Sequence, residues 1–332
     1  MSTPLEISVT AGRPVTVQAH GAADPPRWAA EHREEIAALL LTHGALLVSG
    51  LRLGTAAELA ELRTALGLRP APVREQFAER RALGDGVYSA PEWPPDREQC
   101  LHHEQGYGIE FPRVLLMTCL TPPDTGGAML LGDTRAALSQ LPQELAARFR
   151  AEGWLLERNF RPHFGLPWSS AFSVSTPDEA EKFCAERLIG YAWDSDGALH
   201  VTQRRSAIVR HPVTGDECWF NDVAFFSQWS VDPEERNVLL SAFGRRGLPF
   251  NTHYGDAVPI PEEAWQSILD AYDAVMHRVR WQAGDLLLSD NILCAHGREP
   301  YSGRCDLAVA PTETVSLAEC LPGVAPLPGE LA

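Results

Sequence analysis

The sequence is almost free of lysine and is strongly acidic. Lys182 is the only lysine among 332 residues, and arginine carries the rest of the positive charge. With the abundance of alanine and proline, this bias is typical of a GC-rich genome and indicates no function. The formal net charge of −16 argues against a nucleic-acid partner, because such a surface repels phosphates.

Signals for export, membrane insertion and disulfide bonding are also missing. No apolar run approaches the ~20 residues that span a bilayer, and no basic segment followed by an apolar run opens the chain. The seven cysteines are odd in number and include no C-x-x-C pair, which is typical of free thiols in a reducing cytoplasm. Cys100 and Cys294 are predicted to be small core residues. We therefore expect a cytoplasmic protein without a membrane partner.

The chain lacks the common nucleotide-binding motifs and any internal repeat. There is no G-x-G-x-x-G and no P-loop, and the many short strands with inserted helices do not form βαβ units. The pattern predicts an α+β fold, a double-stranded β-helix (jelly-roll) core with flanking helices. We expect a single domain over residues 1–332, with a helix–strand–helix layer at about 24–67, the core at about 87–312 and a tail at 313–332.

Local signals place the N-terminal layer and several later elements. Asp24 before two prolines starts a helix that Gly44 ends, and Thr55 with Glu58 forms a capping box that opens a second helix. The proline-rich segment 69–100 is predicted to be an irregular lid or pocket wall. Strands are predicted at Glu6–Thr10, Ala45–Ser49, Val114–Cys119, Ala128–Leu131, Gly153–Asn159, Ala207–Arg210, Glu217–Phe220, Arg278–Trp281, Asp285–Ser289 and Asp306–Ala310, and helices start near Pro142, Thr176, Asp232 and Pro261.

Two histidine motifs far apart in the chain carry the main functional signal. In an extended segment, residues two apart share a face, so His102 and Glu104 can reach one ion while His103 points away. A third ligand must come from another strand, and His296 is the candidate. Two histidines and one carboxylate form the ligand set of a mononuclear non-haem iron site. The first pair alone is also what chance produces among eleven histidines and forty-four acidic residues.

Longer runs of the sequence resemble the TauD/TfdA family of non-haem Fe(II)/2-oxoglutarate dioxygenases, and within it the SyrP-like, clavaminate synthase-like branch. The similarity covers roughly residues 35–312. Its most specific part is WQAGDLLLSDNILCAHGREPYSG at 281–303. The other runs are LHHE at 101–104, PPDTGGAMLLGDTR at 122–135, RHPVTGDECWFN at 210–221 and HYGDAVPIPEE at 253–263.

The resemblance implies a site, a reaction class and a substrate class. His102, Glu104 and His296 would bind Fe(II), with O2 as cosubstrate, and Asp290 and Asn291 would either orient these ligands or form a polar turn. Relatives that halogenate lack the carboxylate ligand, so Glu104 favours hydroxylation, desaturation or another oxidation. The expected substrate is an amino acid or similar small polar metabolite of specialised metabolism, free or bound to a carrier protein.

The sequence departs from the family where 2-oxoglutarate usually binds. Met129 stands at the place of the family's threonine, and Cys305 and Asp306 stand at the places of its arginine. An aspartate there repels a carboxylate that a paired arginine would bind. Arg304 can take over the salt bridge from a shifted position, and Arg298 is a weaker candidate for the same role. A third candidate is Arg210.

Three hypotheses therefore remain open. The protein is a 2-oxoglutarate-dependent oxygenase that uses Arg304, or an iron enzyme whose substrate ligates the metal and supplies the electrons, or a catalytically silent binding protein. The complete ligand set argues against the last. Gln105 and Asn221 are predicted to contact substrate. The segments expected to line the mouth of the core also contribute Trp93, Tyr107, Phe160, His163 and Trp168.

Overall fold

Two facing β-sheets form the centre of the fold. The structure is a computed structural model that describes residues 5–10, 14–19, 22–161 and 165–329, without the side chain of residue 245. The strands are β1 (Glu6–Ser8), β2 (Val15–Gln18), β3 (Ala45–Ser49), β4 (Ala82–Gly84), β5 (Val87–Ser89), β6 (Gln99–His102), β7 (Glu110–Thr121), β8 (Thr125–Gly126), β9 (Met129–Asp133), β10 (Trp154–Phe160), β11 (Gly190–Trp193), β12 (Leu199–Arg205), β13 (Ile208–Arg210), β14 (Glu217–Trp219), β15 (Phe250–Tyr254), β16 (Met276–Val279), β17 (Leu286–Asp290), β18 (Cys294–Arg298), β19 (Tyr301–Ser302), β20 (Asp306–Ser316) and β21 (Leu327–Pro328).

Helices lie outside the sheets. They are α1 (Pro25–His43), α2 (Ala56–Ala65), α3 (Thr134–Gln140), α4 (Gln143–Glu152), α5 (Trp168–Phe172), α6 (Pro177–Glu186), α7 (Pro233–Phe243) and α8 (Glu262–Asp273), with short 3₁₀ turns at Gln228–Ser230, Gly244–Gly247 and Leu317–Cys320. The mixture of sheets and separate helices is the predicted α+β class.

The large sheet has the order β1-β2-β3-β17-β7-β20-β5-β4, and the small sheet has the order β16-β9-β18-β6. Their inner faces share one apolar cluster. Leu115, Met117 and Leu287 enter it from the large sheet, and Leu131 and Cys294 enter it from the small sheet. Two sheets closed over a common core are the predicted jelly-roll arrangement.

The N-terminal helices cover the outer face of the large sheet. Leu40 of α1 and Leu59 of α2 lie in one cluster with Leu288 of β17. The predicted start and stop of α1 are confirmed, because the Asp24 side chain accepts the N–H of Arg27 and Gly44 ends the helix with φ of 73°. The capping box that opens α2 is present as well.

A long insertion, residues 134–275, separates β9 from β16 within the small sheet. It contains α3 to α8 and the strands of a sheet with the order β11-β12-β10-β15, to which β21 from outside the insertion adds a fifth strand. Its aromatic core includes Phe149, Trp154, Trp219 and Phe226, and this core also contacts Leu101, which precedes the first histidine motif. The insertion therefore covers the end of the small sheet where the two histidine motifs lie.

Some predicted boundaries are shifted. The strand expected at Arg278–Trp281 is β16 (Met276–Val279), because its register against β9 pairs Met276 with Gly132 and Val279 with Met129. The strand expected at Glu6–Thr10 ends at Ser8. The strand expected to end at Ala310 continues to Ser316, since it follows β7 along its whole length.

Candidate metal centre

His102 and His296 face each other across two neighbouring strands. They are direct partners in the antiparallel pair of β6 and β18, and their ring centroids are 4.5 Å apart. Both residues are more than nine-tenths buried. Strand pairing alone therefore brings together two histidines that are 194 positions apart in the sequence.

Burial keeps both imidazoles neutral. It lowers the pKa of His102 to about 4, although a hydrogen bond to Cys100 and the charge of Glu104 oppose the effect. Burial, and then the neighbouring His102, holds the pKa of His296 well below its ordinary value. Neutral imidazole is the form that binds a metal, so no proton has to be displaced near neutral pH.

The hydrogen bonds of the two rings leave nitrogen atoms for a ligand. Nδ1 of His102 lies 3.0 Å from the carbonyl oxygen of Cys100, to which it donates, so the lone pair of Nε2 is free. Nδ1 of His296 is buried and has no hydrogen-bond partner within the described parts of the chain. A buried nitrogen without a partner is costly, and a bound ligand or water would satisfy it.

Aromatic rings fix the orientation of His102. Phe225 stacks on its imidazole with centroids 4.4 Å apart, and Phe77 meets it edge-on at 6.0 Å. Trp93 packs on Phe225 in turn, at 5.1 Å. Sequence reasoning singled out Trp93 but missed the two phenylalanines, which lie in runs without a motif.

The backbone around Glu104 is held by buried side chains. The amide of Asn291 accepts the Glu104 N–H at 2.8 Å, and donates to the carbonyl oxygens of Glu104 and Pro112, both at 2.9 Å. Asp222, which the sequence did not single out, accepts the N–H of His103 at 2.7 Å. Burial raises the pKa of Asp222 well above its ordinary value.

Asp290 organises the turn that leads into β18. Its Oδ1 accepts the N–H groups of Ile292 and Leu293 at 3.0 and 3.2 Å, while Oδ2 lies 3.1 Å from His211 and 3.3 Å from Arg113. Of the two residues expected to orient the ligands, Asp290 thus bonds to the turn and Asn291 bonds directly to Glu104.

The carboxylate of Glu104 is bound to Arg80. Nη2 of Arg80 lies 2.8 and 2.7 Å from the two carboxylate oxygens, and both side chains are almost completely buried. Within residues 5–10, 14–19, 22–161 and 165–329, no three or more His, Cys, Asp or Glu side chains are gathered as a metal site. The donors nevertheless fit Fe(II): two neutral imidazoles face each other, and a carboxylate follows two residues after the first. Arg80 now engages the third donor.

The arginines expected to bind 2-oxoglutarate have other contacts. Arg304 is 79% exposed and its Nε donates to Asp306 at 2.5 Å. Arg298 donates to the carbonyl oxygens of Pro94 and Arg97, at 2.8 and 3.0 Å, and packs on Tyr301. Both line a cleft of about 570 Å³.

Arg210 lies in the hairpin of β13 and β14 and pairs with Glu217 at 3.1 Å.

Met129 and Cys305, which stand at places where the sequence predicts the usual 2-oxoglutarate binders to be replaced, are at least partly buried. Met129 is buried in the apolar cluster between the two sheets. Cys305 is half-buried, and burial raises the pKa of its thiol.

Within the described chain, the only side chain that donates a hydrogen bond to the Glu104 carboxylate is that of Arg80, which sequence reasoning missed.

The residues predicted to contact substrate are buried near the histidine motif. Gln105 has a positive φ of 56°, and its carbonyl oxygen accepts the N–H of Gly108. The side chain of Asn221 donates to Ala207 O at 3.0 Å and accepts the N–H of Val223 at 3.1 Å. Both roles in substrate binding stay predictions.

Most aromatic residues expected at the mouth have packing partners elsewhere. Tyr107 is buried in the core of the insertion, Phe160 packs on Phe172, and Trp168 packs on Trp193. Trp93 alone among the described four stands next to the ring that stacks on His102. His163 lies outside the described residues.

Comparison with known proteins agrees with this fold. The family model described as taurine catabolism dioxygenase TauD, TfdA family matches residues 11–310. The chain belongs to the TauD/TfdA family. It is accordingly an Fe(II)-dependent oxidoreductase of the dioxygenase type, and the resemblance seen in the sequence is confirmed.

Individual relatives extend the comparison. Dapdiamide synthesis protein DdaC from Enterobacter agglomerans is 32% identical over 272 residues, which cover 82% of this chain and 83% of the relative. A clavaminate synthase-like protein from Arabidopsis thaliana is 26% identical over 274 residues, covering 79% of each chain. The structure of PvcB, an Fe, alpha-ketoglutarate dependent oxygenase from an isonitrile synthetic pathway, has a TM-score of 0.51 and 14% identity, and the match covers 93% of this chain and 92% of that one. The likeness to PvcB shows the fold.

Among the described residues, every helix is too short or too polar to cross a bilayer.

Proposed function

We propose that this protein is a non-haem Fe(II)-dependent oxygenase that oxidises an amino acid or a similar small polar metabolite in specialised metabolism. The reaction is a hydroxylation, a desaturation or a related oxidation, and not a halogenation, because Glu104 occupies the carboxylate position. The observation that carries the proposal is the direct pairing of His102 with His296 beside Glu104. DdaC, named for dapdiamide synthesis, supports a small-molecule substrate in a biosynthetic pathway.

In this proposal His102, Glu104 and His296 hold the iron. Iron(II), when bound, supplies the activation of O2 that oxidises the substrate. The remaining work belongs to the protein. Burial keeps the two imidazoles unprotonated. Asn291 fixes the peptide groups on both sides of Glu104, so its side chain starts from a fixed position.

Aromatic packing would protect the site from solvent. The stack of Phe225 on His102, with Phe77 at its edge, covers one side of the ligand ring with apolar surface. A dry site strengthens electrostatic interactions and limits side reactions of a reactive centre. We expect the substrate to enter beside this aromatic wall, near Gln105.

A second candidate has an observation of its own. Met129 is apolar core, and Asp306 pairs with Arg304, so the usual 2-oxoglutarate site has lost both of its elements. In this alternative the substrate itself ligates the iron and supplies the electrons, and 2-oxoglutarate is not used. A silent binding protein gains no support, because it would not need the buried pair of His102 and His296.

An anaerobic titration tests the proposal. The metal-free protein is loaded with Fe(II) and then titrated with 2-oxoglutarate, and the visible charge-transfer band of a chelated cosubstrate is recorded. We expect the band in the wild type and not in His102→Ala. An iron-loaded protein without a band, but with O2 uptake that an amino acid stimulates in the absence of 2-oxoglutarate, favours the second candidate. If neither the band nor stimulated O2 uptake is observed, both candidate functions are refuted.

A further inference from the structure

Arg80 is a buried cation placed directly beside the candidate metal ligands. Its side chain is 3% exposed, and the Glu104 carboxylate that it contacts is 6% exposed. Its position is fixed by the large sheet, because the next residue, Arg81, is hydrogen-bonded to Ser89 of β5. The Arg81 N–H donates to Ser89 Oγ at 3.0 Å, and the Ser89 N–H donates to Arg81 O at 2.9 Å.

One of the two terminal nitrogens of the Arg80 guanidinium lacks a hydrogen-bond partner in the described chain. Nη2 donates to both oxygens of Glu104, whereas Nη1 is buried and has no hydrogen-bond partner among the residues described. Both nitrogens sit on one carbon atom, so Nη1 lies next to the nitrogen that contacts Glu104. A buried charged donor without an acceptor is costly, and an anionic ligand would recover that cost.

The charge of the occupied site also calls for an anion. The buried pair of the Glu104 carboxylate and the Arg80 guanidinium adds no net charge, so a divalent metal bound beside it would leave a charge of about +2 in a buried environment. A ligand that carries one or two carboxylates brings this charge towards zero. A neutral ligand would leave the excess charge uncompensated.

The place where the family binds a carboxylate cannot serve here in its usual form. Cys305 and Asp306 occupy it, and Arg304 is exposed and already paired with Asp306. Arg80 differs from Arg304, since its side chain is buried and its Nη1 has no acceptor among the described residues. It reaches the site from segment 69–100, which was predicted to be irregular but contains β4, β5 and the start of β6.

We infer that Arg80 binds the carboxylate of the molecule that enters the metal site, and that Nη1 is the donor reserved for it. The inference rests on the proposed function and names the residue that selects an anionic ligand. The carboxylate comes from a 2-oxo acid cosubstrate or from the amino-acid substrate itself, and in either case it meets the guanidinium while Glu104 turns towards the metal.

Binding measurements on the Mn(II)-loaded protein test this role without turnover. Calorimetry gives the Kd of Mn(II), and then the Kd of 2-oxoglutarate in one arm and of the twenty standard L-amino acids in the other. Arg80→Gln should raise the Kd of the bound carboxylate at least tenfold. Its Kd for Mn(II) should stay within threefold of the wild type or fall, because Glu104 is released. Arg80→Lys keeps the charge without the paired donors and should give an intermediate Kd.

Two comparison variants complete the test. Arg33→Gln removes an exposed arginine of α1 and should leave every Kd unchanged. Arg304→Gln tests the rival site. Retained carboxylate affinity in Arg80→Gln overturns the inference, and its loss in Arg304→Gln would place the carboxylate at the rival site.

Other outcomes separate the inference from the proposed function. A parallel loss of Mn(II) and carboxylate affinity in Arg80→Gln makes Arg80 a support for Glu104 only, and overturns the inference while the metal site stands. If neither probe binds the Mn(II)-loaded wild type, the inference is likewise overturned. A wild type that binds no Mn(II) refutes the proposed function itself. Circular dichroism establishes folding, and Arg80→Lys serves where Arg80→Gln does not fold.

Discussion

The backbone of Gly297 lies against that of Gln99 so closely that a side chain has no room between them. A Cβ atom on Gly297 would stand 2.3 Å from the carbonyl oxygen of Gln99. The contact lies at a register shift between β18 and β6, directly after the pair of His296 and His102. A glycine at this position therefore permits the strand pairing that aligns the two histidines.

Gly297→Ala should consequently weaken metal binding by separating these strands. We expect a loss of about 1–3 kcal/mol in the free energy of unfolding, as for overpacked cores, and at least a tenfold rise in the Kd of Mn(II). Denaturant unfolding and calorimetry measure the two effects. Gly323→Ala is the matched control, since its Cβ would meet nothing closer than 3.6 Å. Wild-type affinity in Gly297→Ala would show that the strand contact does not position His296.

Asn291 is expected to contribute both to stability and to the metal site. Asn291→Ala removes three hydrogen bonds to buried backbone groups. We expect the free energy of unfolding to fall by roughly 3 kcal/mol, because buried groups are left unsatisfied. The Kd of Mn(II) should rise at least tenfold as Glu104 loses its fixed backbone. The exposed Asn237→Ala on α7 should change stability by less than about 0.5 kcal/mol. Equal effects of the two substitutions would contradict this role.

The buried histidines make the metal-free protein sensitive to acid. The pKa of His102 is about 4 in the folded protein against 6.5 for the free group. Between these values the unfolded chain binds a proton that the folded chain does not. The free energy of unfolding therefore rises with pH from about 4 to 6.5 and then levels off, with a contribution from His102 of up to about 3 kcal/mol.

Urea unfolding across this pH range measures the effect in the metal-free state. His102→Asn should make the rise between pH 4 and 6.5 less steep than in the wild type without abolishing it, because the buried His296 still contributes. If His102→Asn has the same slope as the wild type, His102 is not held neutral by burial.

Local signals in the sequence predicted much of the fold. The cap at Asp24, the stop at Gly44 and the capping box at Thr55 are governed by hydrogen bonds within a few residues, and all three form as expected. The ends of β16 and β20 were misplaced, because the register against a distant partner strand decides them. Hydrophobic pattern alone does not contain that register.

The candidate site, like the fold, was predicted from the sequence only in part. The spacing of His102 and Glu104, and the run around His296, were visible in the sequence. The partners of these residues were not, because their distance along the chain is arbitrary. Arg80 meets Glu104 from 24 positions upstream, and Phe225 reaches His102 from the large insertion. Such contacts become visible only when the loops are placed on the sheets.

An anaerobic equilibrium titration of the metal-free protein with Fe(II) tests the assigned metal centre most directly. We predict one equivalent bound by the wild type and less than one tenth of an equivalent by His102→Ala or His296→Ala, at a metal concentration that saturates the wild type. His253→Ala is the control, because it removes another buried histidine that instead pairs with Glu157. It should bind one equivalent. Undiminished binding by the His102 and His296 variants would contradict the assignment of the metal centre.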